Sequence, residues 1–95
     1  KTEGLIMSQH TFEHGHYSVL CGFDRPMQGF FLVIEDDRND EDVAYSNLYE
    51  KVSHPTSFDP FVAVLHRFGI PIPDGLLVAL DEDQKANRGN SIKSW

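Results

Sequence analysis

Imidazoles gather early in this chain, at His10, His14 and His16, with Glu13 among them. Histidine nitrogens bind zinc or nickel when a fold brings them round one point. On an extended strand His14 and His16 share a face, so these two make the feasible metal pair. The plainer reading is a frayed, solvent-facing N-terminal segment. Cys21 is a second candidate, since a thiol beside a histidine and an aspartate makes a nucleophilic triad. Its neighbours Val19, Leu20 and Phe23 argue instead for a small buried hydrophobe. A third cluster, Asp36, Asp37, Asn39, Asp40, Glu41 and Asp42, offers oxygen ligands of the kind calcium prefers. Counted from Asp37, however, Asp42 stands where a helix–loop–helix calcium loop requires glycine. A solvated, self-repelling loop is expected there. The chain carries no glycine-rich phosphate loop, serine elbow, paired-carboxylate motif or HExxH helix, so the expectation is a protein that is not an enzyme and needs no cofactor.

Arg25 and Met27, followed by Phe30 and Phe31, combine a cation with large apolar side chains, the chemistry of an anchor for a protein partner. The structural alternative has Asp24 capping a turn while Arg25 stays in water. Asn87 and Asn90 flank Gly89 and read as helix-terminating residues.

These groups need a scaffold, and 95 residues allow one small domain. Residues 1–6 read as vector-derived or upstream of a start at Met7, which leaves 7–95 as an α+β domain. The net charge of −7, with only eight Lys and Arg, opposes direct binding of a phosphate backbone. One cysteine excludes an internal disulfide, which fits a cytoplasmic setting. No apolar run is long enough to cross a membrane as a helix.

Tyr17, Val19, Cys21 and Phe23 alternate with Ser18, Leu20 and Gly22, the period of a strand. Phe30 to Ile34 is apolar throughout, as a strand covered on both faces would be. Pro26 and Gly29 lie between them, so 17–35 reads as a hairpin, with Gly29 supplying a positive φ. A third strand is expected near 43–49, where Asn47–Lys51 suits a helical turn equally well. Asp59 before Pro60 opens a helix over 60–68, with Asp59 as its cap and Gly69 as its stop. A second helix is expected over 74–88. Its apolar stripe ends at Leu80, so its C-terminal half should project from the core or meet a partner.

The runs GFDRPMQGFFLVIEDD and FGIPIPDGLLVALDEDQKANRGN resemble segments of short bacterial proteins carried on plasmids, integron cassettes and other mobile elements. The resemblance implies an accessory role and no particular activity.

The expected architecture is a small antiparallel sheet with two helices on one face. Phe30, Leu32 and Ile34 would point to one side and Phe31 and Val33 to the other. Two short helices shelter one side only. The other side would be covered by the N-terminal segment, by the tail bearing Trp95, or by a second copy, and the expected solution is a homodimer through the sheet or the exposed hairpin. The function expected is that of a small protein-binding or adaptor domain. The alternatives are an acidic inhibitor of a nucleic-acid enzyme and a metal protein built on the histidines.

Overall fold

The computed structural model describes residues 7–39 and 41–95. The sequence expectations for residues 1–6 and for Asp40 lie outside the described residues. Strands β1 (Ser8–His14), β2 (Tyr17–Asp24) and β3 (Gly29–Asp36) form an antiparallel meander. β2 and β3 pair from Tyr17↔Asp36 to Asp24↔Gly29, which is the expected hairpin. Its turn closes through Asp24 Oδ1, which accepts from the Met27 amide at 3.1 Å. The positive φ falls on Gln28, at 52°, and not on Gly29. Gly29 is required for another reason: a Cβ there would overlap the His54 carbonyl.

Two further strands complete a sheet of order β4-β3-β2-β1-β5. β4 is only Tyr45–Ser46, paired with Ile34 and Val33. The chain then passes into a 3₁₀ turn, Asn47–Tyr49, because Ser46 Oγ accepts from the Leu48 amide. Both readings of this segment are therefore realised in succession. β5 (Ser91–Ser94) lies parallel to β1. The sheet is thus mixed and five-stranded, where three antiparallel strands were expected.

Helix α1 (Asp59–Arg67) places Phe61, Val64 and Leu65 on one buried stripe. Asp59 is not its cap. Phe58 holds that position, and Asp59 sits inside the first turn, where its carboxylate complements the helix dipole. The helix ends at Arg67 with Phe68 as its C-cap, and Gly69, φ 69°, turns the chain away just after it, the stopping role expected of it. Helix α2 (Leu76–Lys85) is shorter at both ends than 74–88. Gly75 takes a left-handed φ immediately before it, and Asn87 does so just after it.

Both helices pack on the same side of the sheet. Phe12, Val19, Cys21, Phe23, Phe30, Leu32 and Ile34 join Phe61, Val64, Leu65, Leu76 and Leu80 in one core. Burying a Phe or Leu side chain contributes about 1.5–3 kcal/mol, so this inner face carries the apolar stabilisation. No helix among the described residues is long and apolar enough to cross a membrane.

Candidate functional site

Opposite properties mark the two sides of the sheet. On the inner side, β1 alternation turns Ser8, His10 and Phe12 toward the helices, while Gln9, Thr11 and Glu13 face away. His10 Nε2 lies 2.7 Å from Asp83 Oδ2 on α2, and both side chains are about 95% buried. Asp83 Oδ1 accepts from Arg88 Nε at 2.7 Å. Trp95 Nε1 donates to His10 Nδ1 at 2.9 Å. Indole nitrogen is a donor only. His10 Nδ1 therefore carries the lone pair, and Nε2–H donates to Asp83. A second proton on His10 would face the indole N–H and break that bond.

This relay ties β1, α2 and the residue after β5 together. The expectation was that the C-terminal half of α2 projects from the core or meets a partner; Asp83 instead ties it to the core, while residues 85–88 are exposed. The apolar stripe stops at Leu80, but Asp83 continues it as a buried acid with partners on both oxygens. Trp95 likewise stays on the inner side, against His10, with the Lys93 ammonium 4.3 Å above its ring. The tail extends the sheet beside β1, and its Ser94 and Trp95 also contribute to the lining of the outer depression.

Cys21 lies in the same layer, fully buried, and burial, with Asp83 a lesser contributor, pushes its thiol up to about 12. It is a protonated core group and no nucleophile at neutral pH. Ser8 performs a local repair nearby, its Oγ accepting from the Phe23 amide at 2.9 Å. The chain is so close there that a Cβ on Gly22 would overlap the Ser8 carbonyl. Among the described residues no buried side-chain nitrogen or oxygen lacks a partner.

The outer side is built from the other half of the alternation. The register places Leu20 opposite Val33, and Val33 opposite Ser46, while Thr11 pairs with Leu20. Beside this row lie Glu13, Ser18 and Glu35. Leu20 and Val33 are half-buried, Glu13 and Glu35 are exposed, and Ile92 is 72% exposed at the β5 edge. Leu20, Val33 and their neighbours line an open depression of about 730 Å³ whose surface is mainly apolar. Comparison with protein-family models, curated proteins and solved structures finds no match for this chain.

The residues singled out in the sequence are distributed unevenly between these sides. His14 is exposed at the end of β1, and His16 is exposed with its Nδ1 2.8 Å from Asp37 Oδ1. Among the described residues no group of three or more His, Cys, Asp or Glu is arranged to hold a metal. Arg25 and Met27 are exposed on the hairpin turn. Phe30 is buried on the inner side against Phe23 and Phe58. Phe31 is buried on the outer side beside Gly22. These four residues therefore do not form one surface. Arg25 lies against Gly89, and Gln28 Nε2 donates to Asn87 Oδ1 at 2.7 Å, so the turn docks on the segment after α2. In the acidic loop, Arg38 grips Asp36 with two bonds, at 2.9 and 2.7 Å, and holds that carboxyl down to about 2.

Sequence reasoning missed the relay. Its members are 73 residues apart for His10 and Asp83. The one local signal is an acid at the next inward position of an otherwise apolar helix stripe.

Proposed function

We propose that this protein is a small non-catalytic binding domain that engages a protein partner through the outer side of its sheet. The supporting observation is the depression over Leu20 and Val33, an apolar floor that no described element covers. A rigid sheet backed by a fully paired inner layer suits such a role, because the surface is organised before the partner arrives. The burial of Cys21 adds support, since it withdraws the only thiol from chemistry. An accessory role in the cytoplasm, the kind the mobile-element resemblance implies, is compatible with a domain of this type.

Substitution of the floor tests the reading. Leu20→Asp and Val33→Asp variants, used beside the parent chain as baits in the native host, should both lose one partner that the parent retains. Retention of every partner by both variants, with their fold intact by circular dichroism, would contradict it.

Two copies pairing through the same floor is the second reading, favoured by the exposure of Ile92 on the same side. Sedimentation at high micromolar concentration separates the two. A dimer that Leu20→Asp dissociates supports self-association, and a monomer removes it.

A further inference from the structure

The outer depression has a direction. At its Ser18–Glu35 end it runs into a second depression of about 380 Å³, and the two share those residues. The second is bordered by Asp36, Asp37, Glu41 and Asp42. The first has an apolar floor and ends at Glu13 and Glu35. Among the described residues no lysine or arginine lines either one. Arg38, in the same loop, is committed to Asp36 and to the Tyr17 ring. His16 occupies Asp37. Glu13 and Glu35 have no side-chain partner among the described residues, and they stand where the floor ends.

Resting on the binding role proposed above, we infer that the occupant is a peptide segment of a protein partner in which apolar residues are followed by lysines or arginines. The apolar residues cover Leu20 and Val33, and the cations meet Glu13, Glu35 and the acidic loop. Each half of the surface supplies what the other lacks. An apolar segment alone would leave the carboxylates without counter-charge, and a polycation alone would leave the floor in water. A phosphate-bearing ligand would be repelled at the acidic end. A second copy of this chain carries the same acids, so it matches the apolar floor and not the charge. Complementary charge speeds association and makes it sensitive to salt, while the apolar floor does not respond in that way.

A fluorescein-labelled synthetic peptide with a leucine-rich half and a lysine-rich half tests this by anisotropy. One control peptide carries glutamate for lysine and another carries serine for leucine. The parent protein should bind the leucine–lysine peptide at least tenfold more tightly than either control, and less tightly as salt rises. Glu35→Lys should weaken binding at least tenfold. Glu82→Lys makes the same charge change on exposed α2 and should leave affinity within twofold. Leu20→Ser should weaken binding as Glu35→Lys does, and Glu35 is exposed, so its variant places no demand on folding. Equal weakening by Glu82→Lys would overturn the inference, because bulk charge would then explain the affinity. If the glutamate peptide binds as tightly and Leu20→Ser abolishes both, the basic half is wrong and the binding face stands. If Leu20→Ser leaves every affinity unchanged, the face itself is wrong.

Discussion

One side of this sheet buries an imidazole and a carboxylate, while the other leaves leucine, valine and isoleucine in contact with water. Hydropathy alone would assign them the other way round. The difference lies in pairing. His10 and Asp83 can be buried because each polar atom finds a partner, from Arg88 through Asp83 to His10 and Trp95. Leu20, Val33 and Ile92 stay half or fully open because both helices are already occupied on the inner side. A buried polar network fixes how elements meet. An open apolar strip is a surface that a partner can cover.

Removing Asp83 should break this contrast most severely. Asp83→Ala leaves the neutral His10 Nε2–H in the core with no acceptor, and a buried donor left unsatisfied costs about 1–3 kcal/mol. Urea unfolding should register a loss of that order, and a loss below about 1 kcal/mol would mean the relay is not a structural tie. Leu20→Ser sharpens the comparison from the outer side. It should cost about 1 kcal/mol, the centre of the distribution for single substitutions, in the same urea assay. A loss near that of an inner-layer leucine would show that Leu20 belongs to the core. Trp95→Phe removes the indole donor to His10 together with part of the ring that packs near Gly75, and the lost neutral hydrogen bond alone is worth about 0.5–1.5 kcal/mol. Thermal unfolding should show a small decrease, together with faster amide exchange along β5.

A pH dependence at Cys21 is silent at neutral pH and emerges only in the alkaline range. In the fold its thiol keeps its proton up to about 12, against an ordinary value of 9.0. Between those values the unfolded chain binds fewer protons than the folded one, so stability falls as pH rises through that window. Cys21→Ala should flatten the decline. At pH 8 a thiol reagent should label Cys21 only in denaturant. Rapid labelling of the native protein would show that the inner layer opens.

Legibility in the sequence followed how each element pays for its burial. The β2–β3 hairpin was readable because Val19, Cys21 and Phe23 alternate and Phe30–Ile34 is apolar throughout. α1 was readable from Phe61, Val64 and Leu65. β1 has the same alternation, but two of its inward residues are Ser8 and His10, so only Phe12 advertises it. β5 has no buried residue and is set by backbone pairing to β1. The end of α2 was misread because its last inward residue is an acid, whose partner lies at the far end of the chain. For the outer surface, Phe31 and Val33 were correctly assigned to the side away from Phe30, Leu32 and Ile34. Leu20 was not foreseen as part of the floor, since its contribution depends on the register that sets it opposite Val33 and beside Thr11.

The most direct test is a titration of ¹⁵N-labelled protein with the leucine–lysine peptide, followed by NMR. Shift changes should centre on Thr11, Ser18, Leu20, Val33 and Glu35 and leave the outward residues of α1 and α2 unmoved. Changes centred on the helices, or no saturable change at all, would contradict the assignment of the outer sheet surface as the binding face.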